Sequence, residues 1–157
     1  MKRPAQGRAR RGVATIELAL ILVFSIGLLP VVLVLGRVFW HYTALQKMTY
    51  ASARYMASLP PAEMTNPAQV AQARQLVYQM VGEAARGAQL AMAPGVNEVS
   101  ILCGIEVCGG ASELPATVQV QVRLEMTAGE MSGATGAWVS PLGNIILRST
   151  VTLRYAN

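Results

Sequence analysis

Twenty-five residues between Arg11 and Arg37, GVATIELALILVFSIGLLPVVLVLG, contain a single charged side chain, that of Glu17. As a helix this run measures about 37 Å, enough to cross a hydrocarbon layer of about 30 Å. A buried helix of a soluble domain seldom stays apolar on every face for so long, and the apolar region of a secretory signal is much shorter. The run therefore predicts a transmembrane helix. It also accounts for a mean hydropathy of +0.39 in a chain of 157 residues, and it leaves length for one small domain.

Charge gives the helix a direction. Lys2, Arg3, Arg8, Arg10 and Arg11 precede the run, whereas only Arg37, Lys47 and Arg54 lie shortly beyond it. Cations gather on the cytoplasmic side of a span, so the N-terminus is expected in the cytoplasm and everything from about Arg37 onward in the opposite compartment. The same five residues supply the whole formal net charge of +5, because residues 13–157 carry eight Lys and Arg against eight Glu. A body without surplus cations is not built to neutralise phosphates, and no nucleic-acid partner is expected. Asp is absent, which excludes an Asp-containing triad and a carboxylate-rich calcium loop. One His and two Cys leave little for a catalytic metal site. The expectation is a non-enzymatic protein with no metal, cofactor or small-molecule substrate.

Glu17 asks for an explanation of its own, since a carboxylate at the centre of a bilayer costs on the order of a few kcal/mol. It lies six residues past Arg11, within reach of a headgroup layer or of a basic residue of the leader. Its context suggests more: Gly12 is followed by Val13, Ala14, Thr15, Ile16 and Glu17, with a basic polar stretch before the glycine and an apolar helix after Glu17.

RRG, then VATIE, then LALILVF resembles the N-terminus of type IV pilins and their relatives. In those proteins a prepilin peptidase cuts after the glycine and leaves a glutamate as the fifth mature residue. The resemblance makes Gly12 the last leader residue, Val13 the new N-terminus and Glu17 that glutamate. Within the superfamily, RRGVATIELALIL is most similar to TadE-like minor pseudopilins of the tight-adherence (Tad/Flp) pilus system, which have a short basic leader, an apolar helix and a small C-terminal domain. Val13 stands where the typical pilin has a methylated Phe, and Leu18 where major Flp pilins have Tyr. The chain is also far longer than those major subunits, so the resemblance implies a minor component. It is strong over about residues 8–57 and rests on architecture beyond. It implies a role in pilus assembly, surface adhesion and biofilm formation. The implied partners are a prepilin peptidase, the inner membrane, and other pilin and pseudopilin subunits that pack against the N-terminal helix. The C-terminal domain would then be periplasmic, with incorporation into an extracellular pilus as a further stage.

Physical chemistry gives the same residues a purpose. Cleavage between Gly12 and Val13 would remove five cations and create an α-amine that stays largely charged at neutral pH. Positions 13 and 17 share a helix face, so Glu17 can neutralise its own N-terminus or that of a neighbouring subunit. Where lipid is excluded, an unpaired charge is costly and a matched one is tolerated, which sets register between packed helices. Ala14, Ala19, Ser25 and Gly27 are small enough to let such helices approach closely.

After Gly36 the helix is expected to continue to about Ser58. Val38, Tyr42, Leu45, Met48, Thr49, Ser52, Tyr55, Met56 and Leu59 recur at three- and four-residue spacing, with no Gly or Pro before Pro60. Pro30 predicts a kink. Trp40, His41 and Tyr42 are read as an interfacial belt, with the polar edge of His41 in water. Asn66-Pro67 reads as the cap and first residue of a second helix with a stripe of Val70, Ala73, Leu76, Val77, Met80, Val81 and Ala84, its polar residues, Arg74 among them, largely elsewhere, and Gly87 as its stop. Pro94-Gly95 marks a turn into residues 96–103, which alternate only approximately. Val118, Val120, Val122, Leu124 and Met126 alternate strictly with polar residues, and Ile145 to Tyr155 does so through Leu147, Ser149, Val151 and Leu153. The fold class expected is α+β: a long N-terminal membrane-spanning, pilin-like helix, then a small domain with a second helix and an antiparallel β-sheet. Its divisions are a basic leader at 1–12, a long helix at 13–58 (13–36 transmembrane, 37–58 beyond the membrane) and an α+β domain at 59–157.

Residues 127–143, rich in Gly, Ser and Ala, read as a mobile surface loop whose Trp138 inserts into the sheet or a neighbouring subunit. Cys103 and Cys108 enclose four residues and have no companion ligands for zinc. On the oxidising side of the membrane they are expected to form a disulfide that holds a turn and contributes about 2 kcal/mol. Two other readings stand beside the minor pseudopilin: a pseudopilin of a type II secretion-like system, and a single-pass anchored enzyme, sensor or other periplasmic protein.

Overall fold

In a computed structural model, residues 9–90, 93–109, 113–127 and 143–155 are described, with side chains from Ala14 onward. The chain divides into two compact units, one ending at Arg37 and one beginning at Val38. Helix α1, Ala9–Ala57, contains Pro30 and supplies the body of the first unit. From Ala14 it is long and apolar enough to cross a membrane.

The second unit is an α+β domain. Its elements after α1 are α2 (Pro61–Met64), α3 (Pro67–Gly87), a 3₁₀ turn at Val96–Glu98, and strands β1 (Val99–Cys103), β2 (Glu106–Val107), β3 (Thr117–Thr127) and β4 (Asn144–Arg154). The strands form one antiparallel sheet in the order β2-β1-β3-β4. The two-residue connection between β1 and β2 makes their antiparallel pairing the direct outcome of the strand pattern. Val120 sits between Ile101 of β1 and Val151 of β4, so β3 is flanked on both sides.

Prolines divide the helices. Pro60 is the N-cap of α2 and Pro61 its first residue, which gives a short helix between the two long ones that local sequence pattern does not announce. The side-chain carbonyl of Asn66 accepts a hydrogen bond from the Ala68 N–H at 3.0 Å, and Pro67 opens α3 without needing a donor. The expected stop at Gly87 is the last helical residue, yet the closing turn lies further on. Gln89 takes a left-handed conformation at φ 52°, its N–H donates to the Arg86 carbonyl, and the Leu90 N–H donates to the Ala85 carbonyl. That is a Schellman closure with glutamine where glycine is usual.

One core joins the last part of α1, α3 and the sheet. It contains Leu45, Met48, Ala53 and Met56 of α1, Val70, Val77 and Val81 of α3, and all five apolar positions of β3 from Val118 to Met126. The strict alternation of β3 is realised as one fully covered face. On β4 the corresponding residues Ile145, Leu147, Val151 and Leu153 are only partly covered, as befits the outer strand. On α3 the stripe is narrower than its apolar residues suggest: Leu76 and Met80 are exposed, and Ala85 takes the inward position in place of Ala84.

Candidate functional site

In the first unit, the side chains of α1 from Ala14 onward are mostly apolar and, Val34 excepted, largely uncovered, with Ile16, Phe24 and Ile26 each about 70% exposed. Large apolar side chains left open on every face call for lipid or other helices around them. Glu17 stands in this surface, exposed, and has no hydrogen-bond or ion-pair partner among the described residues. Gly12 and Val13 lie earlier on the same helix, one turn before Glu17. Positions 13 and 17 are related as i and i+4, within one turn of each other on the helix.

Cys103 and Cys108 lie in the second unit and are joined by a disulfide, their Cα atoms 4.8 Å apart. The bond closes the β1–β2 hairpin, in which Cys103 pairs with Glu106 and the connecting residues are Gly104 and Ile105. Gly104 has φ +72°, the left-handed value a two-residue hairpin turn needs at its first central position. Ile105 stands at the tip, 96% exposed.

Arg74 belongs to this region although its place in the sequence reads as the wet side of a helix. It is half-buried, and its guanidinium donates to the Cys108 carbonyl and to the Tyr78 hydroxyl, both at 3.2 Å. It thereby ties the bridged hairpin to α3. Its Nε is buried without a partner among the described residues. No periodicity reports such a contact, because it joins positions 34 residues apart.

His41 departs from the expected belt. It is 1% exposed, and its Nδ1 lies 3.0 Å from the sulfur of Met126. The reason is helix phase: residues 41, 45 and 48 share the inward face with Leu45 and Met48, and this face meets the sheet. Trp40 and Tyr42, on either side, remain exposed. The Trp40 indole N–H donates to the Ala88 carbonyl at 3.1 Å, satisfying one of the open carbonyls at the end of α3. Near the other end of the domain, the Tyr155 hydroxyl donates to the Leu59 carbonyl at 2.6 Å and ties the end of β4 to the chain just beyond α1.

The expected loop role of 127–143 and the placement of Trp138 lie outside the described residues, Thr127 and Gly143 excepted. The structure thus brings the two cysteines together in one unit, while Gly12, Val13 and Glu17 belong to the other. No protein-family model, curated protein or solved structure matches the chain.

Proposed function

We propose that this chain is a non-enzymatic, TadE-like minor pseudopilin, cleaved between Gly12 and Val13 by a prepilin peptidase and used in assembly of a Tad/Flp pilus, with surface adhesion and biofilm formation as the outcome. The observation that carries the reading is Glu17: a carboxylate with no partner among the described residues, on a largely apolar helix surface, one turn after the position where cleavage would place an amine. Such a charge is costly in lipid and useful when it meets an opposite charge in a packed bundle of helices. The helix would hold the precursor in the inner membrane, with the C-terminal domain in the periplasm, and later pack among the helices of other subunits.

N-terminal sequencing of the mature protein from native envelopes tests the first step. A chain beginning at Val13, lost in Gly12→Ala or in cells without the peptidase, supports the proposal, and Met1 retained throughout the mature pool would sink it. Glu17→Ala is expected to be processed yet to leave cells without pili. Normal filaments from that variant would remove the charge-pairing role. Co-purification with a major Flp pilin distinguishes this system from a secretion piston.

A further inference from the structure

Within the second unit, α1 and α3 leave a groove of about 350 Å³ whose walls include Trp40, Ala44, Lys47, Met48, Ala84 and Ala88. The alanines make its floor shallow, and Leu76 and Met80 extend the apolar strip of α3 at four-residue intervals beyond Ala84. No carboxylate among the described residues lines it. Among the described residues, Lys47 is the one charged wall residue, and it has no ion pair there. Trp40 stands at one end with its indole held toward α3 by the bond to Ala88, four residues past the last residue of the apolar stretch, Gly36.

An apolar groove whose described walls hold one cation and no anion matches a molecule with a hydrocarbon tail and a negative head. Its volume suits one flexible chain, at the low end of ligand pockets, whereas a helix of about 10–12 Å diameter would lie across it rather than enter. Helical side chains lean toward the N-terminus of their helix, so the Lys47 stem is directed back along α1 toward Trp40, and a long aliphatic stem can cover apolar surface while its ammonium meets a phosphate. We propose that this groove binds one acyl chain of an anionic phospholipid, with the lipid phosphate against the Lys47 ammonium. The inference rests on the membrane-anchoring half of the functional reading and not on filament assembly.

The test uses the full chain carrying Trp138→Phe, so that Trp40 is the remaining tryptophan, in phosphatidylcholine vesicles containing brominated phosphatidylglycerol or, in parallel, brominated phosphatidylcholine. Quenching of Trp40 is expected to favour the phosphatidylglycerol by about fivefold, the equivalent of the ~1 kcal/mol that one cation contributes at an anionic lipid surface. Lys47→Gln should abolish the preference and Lys47→Arg should keep it. Ala84→Phe, at an exposed wall position, should fill the groove and remove the quenching that bulk lipid does not cause. Equal quenching by both lipids, or quenching unchanged by Ala84→Phe, overturns the proposal. So does a Trp40 protected from both lipids while Ala84→Cys crosslinks to a second copy, which would make the groove a subunit contact. Flotation with the vesicles is measured first: a chain that fails to float has lost the anchoring reading itself, whereas one that floats without groove quenching has lost only the lipid site.

Discussion

Gln89 and Gly104 both hold left-handed backbone, and only one of them is a glycine. A side chain with a Cβ pays about 1–2 kcal/mol in that region, which makes the two positions opposite experiments. Gln89→Gly should stabilise the domain by about 0.5–1 kcal/mol, since the relief exceeds the added freedom of the unfolded chain. Gly104→Ala should destabilise it by about 1–2 kcal/mol, although open space surrounds the site, because the penalty is conformational. Denaturant titration of the purified protein reads both signs. Tyr155→Phe removes one hydroxyl from the Leu59 carbonyl and is expected to cost about 1 kcal/mol by the same measurement. Of these three positions only Gly104 is suggested by local sequence, through its place between two cysteines. Gln89 and Tyr155 depend on bonds across a helix end and across the fold.

Among the elements, β3 shows how much a strict period of two can carry. Its five inward residues are all 0% exposed because β1 and β4 flank it and the helices cover one face. Val122→Thr, nearly the same shape, would place a hydroxyl in that layer and is expected to cost about 1–3 kcal/mol, whereas Gln121→Thr on the other face should stay within about 0.5 kcal/mol. Thermal melts of the two variants side by side check the contrast. The same period in β4 predicts its inward residues equally well, but not that its apolar ones stay half-covered while Ser149 is buried: alternation marks a face and says nothing about rank within the sheet. Helix α3 repeats the lesson. Its apolar residues span more of the surface than the core accepts, and Leu76 and Met80 fall outside. His41 errs in the other direction, since a polar residue beside Trp40 and Tyr42 reads as wet until helix phase aligns it with Leu45.

Taken whole, the molecule joins a largely uncovered apolar helix, long enough to cross a membrane, to a domain with an ordinary covered core. The chain is expected to remain in the membrane fraction after carbonate extraction and to be released by detergent; release by carbonate alone would count against a membrane-embedded helix. The apolar run, the charge asymmetry, the proline and asparagine that divide the helices, and the alternation of two strands were all legible along the chain, because each depends on neighbours within a turn or a pleat. The lone carboxylate at Glu17 was equally legible, since an unmatched charge in an oily segment is conspicuous wherever the helix goes. Other features arose from contacts between distant segments: the inward turn of His41 onto Met126, the clamp of Arg74 on the bridged hairpin, the central place of β3 and the shallow groove beside Trp40. Periodicity assigns each element a face, but which neighbour meets that face, and how completely, follows only when helices and strands compete for one small core.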